Sequence, residues 1–293
     1  MGVDTAIGWT DHTFNPWWGC TRVSPGCEHC YAEAFAKRTG NDVWGKHTGR
    51  RFFSDAHWAE PLKWNLKAFE ACRNARVFCA SMADVFEDRD ELVEHRVRLF
   101  ELIRITPWLR WQLLTKRPEN VNRMWDEAKP VGWTGRMPIN IWVGCTVEDQ
   151  RRADERIPHL LDIDAKVRFL SCEPLLGPLD LSRWLGLEWM DALRAPGEPM
   201  SFRGEGGWGI ELGEAIRRSH PAPTPAIGWV IVGGESGNSH RPLQSDHAID
   251  LVDQIVTAEI PLFFKQWGGR IPTAGGDRIN GRQYKQFPFE PRT

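Results

Sequence analysis

Trp18-Gly19-Cys20-Thr21-Arg22-Val23-Ser24-Pro25-Gly26-Cys27-Glu28-His29-Cys30-Tyr31 is the stretch on which the reading of this chain turns. It sets three thiols in one eleven-residue loop around a Pro25-Gly26 turn, an arrangement that can wrap them about a single soft metal centre. Three sulfur ligands leave one coordination place open. On a four-iron four-sulfur cluster, Cys20, Cys27 and Cys30 would bind three irons and leave the fourth able to take an outside ligand. A zinc site is the alternative, because Cys-x-x-Cys also serves zinc and His12, His29 or a distant cysteine would complete a tetrahedron. The second Cys or His pair at finger spacing is absent. Inert buried thiols are the third reading, although three beside Gly and Pro are not a common packing pattern.

Working outward, short apolar runs recur, each followed by a polar cluster and a helix-like segment, which is the alternation of parallel βα units. Six lie beyond the cysteines: Arg76 to Ala80, Arg110 to Thr115, Ile141 to Thr146, Val167 to Cys172, Trp229 to Gly233 and Leu262 to Lys265. A strand around Phe14 to Trp18 makes a seventh. Among the helices, Asp88 is expected to cap a segment reaching Ile105, with Leu92, Leu99, Leu102 and Ile103 as its apolar stripe. Ser245 opens another before Pro261, and Tyr31 to Lys37 reads as a short helix stopped by Gly40. The fold class is therefore α/β, a partial or complete parallel βα barrel of six or seven units in a single domain spanning 1–293. Residues 186–226, rich in Gly and Pro, read as an irregular insertion that would serve as a lid, and 268–293 as a C-terminal tail packing across an open end.

The 293 residues, 41% hydrophobic and 26% charged, suit one large globular domain. No run reaches the roughly 18 apolar residues of a membrane span, and the N-terminus lacks the regions of a signal peptide, so a cytoplasmic protein with no membrane partner is expected. Seven cysteines without an export signal argue for metal or catalytic use over disulfides. With a net charge of -2 there is no global basic field, so nucleic-acid binding would need a local patch. The pairs Arg50-Arg51, Arg151-Arg152 and Arg217-Arg218 offer only short ones, which more often face solvent. The 16 tryptophans serve equally as core and as stacking platforms.

Cys20, Cys27 and Cys30 followed by βα units resemble the radical S-adenosylmethionine superfamily, with six residues between the first two cysteines where that superfamily usually has three. The strings Asn15-Pro16-Trp17-Trp18-Gly19-Cys20, Leu114-Thr115-Lys116-Arg117-Pro118, Ser171-Cys172-Glu173-Pro174, Gly233-Gly234-Glu235-Ser236-Gly237 and Phe264-Lys265-Gln266-Trp267-Gly268 resemble a bacteriophage-associated family of uncharacterised, radical-enzyme-like proteins. The resemblance covers nearly the whole chain apart from 186–226. It implies a βα barrel of the radical S-adenosylmethionine type, a 4Fe-4S cluster, S-adenosylmethionine as cosubstrate and an electron donor such as a flavodoxin or ferredoxin. It also implies that His29 stands beside the adenine, and that Ser81 and Asp84, after the second strand, meet the amino group of the cosubstrate.

In a βα barrel the functional side chains gather where strands end. Here those ends offer Ser81 and Asp84, then Lys116 and Arg117, then Glu148, then Ser171 and Glu173, then Glu235 and Ser236, and last Lys265, all expected around one cavity. Lys116 or Arg117 would pair with a carboxylate, and Glu148 or Glu173 would accept from ribose hydroxyls. Cys172, Lys116 and Lys265 are the candidate catalytic side chains, Cys172 as hydrogen donor or radical relay. Surface ion pairs and a buried inert thiol are the plainer readings. The glycines of 233–237 have the freedom to approach a ligand closely but lack the lysine of a phosphate loop. The leading functional expectation is radical cleavage of S-adenosylmethionine in the modification or repair of a nucleic acid or nucleotide, with DNA or RNA as partner. The competing one is a non-catalytic nucleic-acid-binding protein stabilised by zinc or an Fe-S centre. The sequence sets no oligomeric state.

Overall fold

The computed structural model of the protein describes residues 5–134, 136–187, 227–271 and 273–288. They fall into two compact units, Met1–Thr146 with Glu155–Arg168 and Val147–Asp154 with Phe169–Thr293. The strands in chain order are β1 (His12–Thr13), β2 (Trp17–Trp18), β3 (Arg51–Phe52), β4 (Ala75–Cys79), β5 (Leu109–Thr115), β6 (Ile141–Thr146), β7 (Val167–Cys172), β8 (Trp229–Val232), β9 (Leu262–Phe264), β10 (Arg278–Ile279) and β11 (Arg282–Gln283). The helices are α1 (Tyr31–Arg38), α2 (Asp55–Trp58), α3 (Glu60–Glu70), α4 (Val93–Arg104), α5 (Val121–Ala128), α6 (Gln150–Leu161) and α7 (Ser245–Thr257).

In the first unit β1, β4, β5 and β6 lie side by side in parallel, with Val77 opposite Trp111 and Leu113 opposite Val143. All six residues of β6 are buried, the near-continuous apolar pattern of a parallel strand covered on both faces. Helix α4 turns Leu99, Phe100, Leu102 and Ile103 inward, and α5 adds Val121, Met124 and Trp125. Phe14 sits edge-on to Trp58 and Trp111 at the centre of this core.

In the second unit β7, β8 and β9 are parallel, with Leu170 opposite Val230 and Val232 opposite Phe264. Helix α7 packs Ala248, Leu251, Val252 and Ile255 inward. The chain is thus α/β, with seven parallel strands among the described residues, the strand complement of a partial βα barrel. Among the described residues no helix is long and apolar enough to cross a membrane.

Several local expectations change. The first parallel strand is His12–Thr13 and not Phe14 to Trp18, because Trp17–Trp18 pairs antiparallel with Arg51–Phe52. Asp88 does not cap α4. Its carboxylate pairs with Arg123 at 2.8 Å, and a single 3-10 turn, Asp90–Leu92, leads into the helix at Val93. The described part of 268–293 carries short strands. Tyr284 and Gln286 run antiparallel along β9, and β10 and β11 close a hairpin at Asn280-Gly281. The expected insertion lies, beyond Leu187, outside the described residues. Tryptophan goes mainly to the core: Trp9, Trp17, Trp111, Trp142 and Trp229 are fully buried, and no described tryptophan is in the exposed class.

Candidate metal centre

β2 delivers the chain to Cys20. Gly19, at φ +115, donates its N–H to Met82 O at 3.0 Å and bridges to Ala83, so the loop starts beside the chain that leaves β4. A Cβ on Gly19 would stand 2.3 Å from Val43 O and 2.7 Å from Arg50 Cδ, so only glycine fits there. Cys20 bridges to Trp44. Cys27 ends the 3-10 turn Pro25–Cys27, where Ser24 Oγ lies 3.9 Å from its sulfur, and Cys30 directly precedes α1. All three thiols are half-buried and outside any disulfide.

Arg50 holds this corner together and was not visible as a site residue in the sequence. Its side chain is fully buried, donating to both carboxylate oxygens of Glu87 at 2.8 and 3.0 Å, to Thr21 Oγ1 at 3.1 Å and to the carbonyls of Val43, Gly45 and Thr48. Its doublet with Arg51 reads as a solvated basic pair, and the buried carboxylate that claims it lies far along the chain at Glu87.

Asp84 is buried, and its oxygens accept from Thr115 Oγ1 at 2.7 Å, Arg117 Nη1 at 2.8 Å, Phe86 N at 3.0 Å and Lys116 N at 3.1 Å. Burial pushes its carboxyl up, but the Arg117 charge and these donors outweigh that and hold it below the ordinary carboxylate range. Arg117 in turn donates through Nη1 to Cys20 Sγ at 3.7 Å and through Nη2 to Thr21 O at 2.7 Å. Asp84 and Arg117 are therefore paired with one another, and Arg117 ties the pair to the cysteine loop. Ser81 lies half-buried, its Oγ 3.0 Å from Asn15 Nδ2, and its carbonyl accepts from the Tyr31 hydroxyl at 2.9 Å. Lys116 is half-buried, and among the described residues its ammonium forms no ion pair.

Burial raises the Cys20 thiol to about 12, with Asp84 adding to the rise and Arg117 opposing it. Burial also raises Cys30. At Cys27 the Lys116 charge and the hydrogen bonds of Val23 and Ser24 overcome burial and lower the thiol. Among the described residues no three His, Cys, Asp or Glu side chains converge as ligands of one ion. The thiols of a cluster need not converge, because each binds a different iron. The donor chemistry fits such a group: three soft, half-buried sulfurs on one loop, with Arg117 beside the first and the charge of Lys116 acting on the other two. His29 is half-buried between them.

The second unit holds the remaining predicted residues. Glu148 is fully buried, and Ser171 Oγ donates to Glu173 Oε2 at 3.5 Å. Lys265 Nζ stands 3.1 Å from Glu173 Oε1. Gly233 makes room for this pair, since a Cβ there would lie 2.8 Å from the same oxygen. Glu235 accepts from Arg241 N at 2.7 Å and from its guanidinium at 2.6 and 3.0 Å, a bidentate ion pair. Ser236 bridges to Gly269. Gly234 would place a Cβ 1.9 Å from Trp267 O, so the close approach permitted by these glycines is to the chain's own 267–269 segment. Cys172 is fully buried at the end of β7.

Among solved structures, spore photoproduct lyase complexed with dinucleoside spore photoproduct is similar over 87% of this chain, at 12% identity and a TM-score of 0.46. A mutant of that lyase with bound AdoMet and dinucleoside spore photoproduct is similar over the same share, at 13% identity and a TM-score of 0.45. The chain spans 63% of the length of each, a likeness too distant to carry chemistry across. Comparison with curated proteins finds no match. A family model described as a protein of unknown function, DUF5131, matches residues 4–288, and the chain belongs to that family.

Proposed function

We propose that the protein is a radical S-adenosylmethionine enzyme whose 4Fe-4S cluster is held by Cys20, Cys27 and Cys30. The observation that carries the reading is the loop itself: three half-buried thiols outside any disulfide, anchored at Gly19 and braced by Arg50 and by Arg117. With cluster and cosubstrate bound, the chemistry supplied is one-electron cleavage of S-adenosylmethionine to methionine and a 5'-deoxyadenosyl radical, the electron coming from a flavodoxin or ferredoxin.

The chain's own residues divide the remaining work. Lys116, without an ion pair among the described residues, is the cation for the cosubstrate carboxylate, whereas Arg117 is committed to Asp84 and the loop. Ser81, just after β4, and His29, on the loop itself, are assigned to the amino and adenine groups. Glu173 and Lys265 form a partly exposed pair that can hold a proton or a hydroxyl, and Cys172, sealed in the core, serves packing unless substrate binding opens β7. For the substrate we propose a nucleotide or nucleic acid. The supporting feature is the exposed ring of Tyr31, directly after Cys30, with Phe52 and Arg51 exposed on the β3 strand that pairs with β2.

Anaerobic reconstitution followed by dithionite and S-adenosylmethionine tests the activity. Formation of 5'-deoxyadenosine is expected, and no product from a protein with an intact cluster would contradict it. Lys116→Ala should raise the half-saturating S-adenosylmethionine concentration about tenfold or more, the scale of one charge-assisted contact. Salt-dependent binding of a single-stranded oligonucleotide supports the substrate class, and its absence points to a small molecule or peptide.

A further inference from the structure

We infer that Arg117 is a positioning residue for the Cys20 sulfur, donating an N–H to it from a rigid mount and thereby setting how readily the iron centre accepts an electron. The inference rests on the iron-sulfur reading above.

The mount is a closed ring of hydrogen bonds. Thr115 Oγ1 donates to Asp84 at 2.7 Å and accepts from Arg117 N at 2.9 Å, and Asp84 grips Arg117 Nη1 at 2.8 Å. Phe86 N and Lys116 N hold the carboxylate from two further sides. Both charged side chains are less than a tenth exposed. A pair this buried adds little stability over an apolar pair of equal volume, so stability does not account for it. What an apolar pair would lack is the fork, which spans Asp84, the Cys20 sulfur at 3.7 Å and Thr21 O at 2.7 Å. Lysine cannot reproduce that span, because its ammonium is a point donor on a flexible stem.

The Cys20 thiol donates to Thr21 O at 3.5 Å. On losing its proton to bind iron that donation ends, and the Arg117 contact remains. A donor on a ligand sulfur withdraws charge and favours the reduced, more negative state of the centre. Two consequences follow from the geometry: the loop is pre-set at its first ligand, and the potential is higher than it would be without the arginine.

The test is an EPR-monitored redox titration of the anaerobically reconstituted full chain, with iron counted per chain, for the wild type, Arg117→Lys and Arg117→Met. An Asp84→Asn/Arg117→Met double variant removes both charges if the single leaves an unpaired buried carboxylate and fails to fold. Arg117→Met should lower the reduced-to-oxidised ratio at a fixed potential about tenfold, equal to about 59 mV for a one-electron couple. Arg117→Lys, which keeps the charge but not the fork, should shift the same way by less. Wild-type potential and iron content in folded variants would overturn the role of Arg117 and leave the proposed function standing. A wild-type chain that takes up no cluster would instead overturn the proposed function, and the inference with it.

Discussion

Gly19 shows how much of the site depends on one absent side chain. Its φ of +115 and the 2.3 Å approach of Val43 O leave no room for a Cβ, and a backbone oxygen cannot move aside as a side-chain tip would. Gly19→Ala should therefore lose about 2 kcal/mol or more in denaturant unfolding, the order expected of a strained backbone plus a clash, and should release the cysteine loop. Asp11 supplies a second test. Burial raises its carboxyl, but Arg76 donates to it from the backbone at 2.8 Å and from the guanidinium at 3.1 Å, and the net effect is a lowered pKa. A depressed folded-state pKa means that its stabilisation is present above the unfolded value near 3.9 and is lost as pH falls through the folded one. Acid unfolding of Asp11→Asn should show a flatter pH dependence below about pH 4 than the wild type, and identical slopes would contradict the assignment. At this scale the three cysteines stand out as candidates in the sequence because their spacing is local. Asp84 and Arg117 also stand out as strand-end charges, but their pairing with one another, some thirty residues apart, was not legible, because nothing local couples them.

Elements with strong local patterning were legible almost to the residue. Val167–Cys172 and Ile141–Thr146 have the expected bounds, and α1 ends where Gly40 takes φ +74. The two-residue strands were not, because pairing of Trp17–Trp18 with Arg51–Phe52 joins distant segments and leaves no periodicity. Helix α3 did carry a signal, with Pro61, Trp64 and Ala68 buried at helical spacing. So did the tail: Asn280-Gly281 between two short polar runs is the sequence of a type I' hairpin, and both residues have positive φ, +49 and +76. Gly281→Val should cost roughly 1–2 kcal/mol at that turn, seen as faster amide exchange in β10 and β11, whereas Asn280→Gly should be tolerated.

For the molecule as a whole, seven parallel strands among the described residues and a net charge of -2 fit the proposal that the chemistry sits at strand ends and loops instead of on a charged surface. Trp229, Trp111 and Trp142 build the interiors of the units, so among the described residues tryptophan mostly supplies core volume. The account stands on the metal that the Cys20 loop binds. Metal content and the visible spectrum of anaerobically reconstituted protein measure that directly. A brown protein with about four irons per chain, reduced to little or none by Cys27→Ser, is the predicted result. A colourless protein holding one zinc per chain, or iron uptake indifferent to the loss of Cys27, would contradict it.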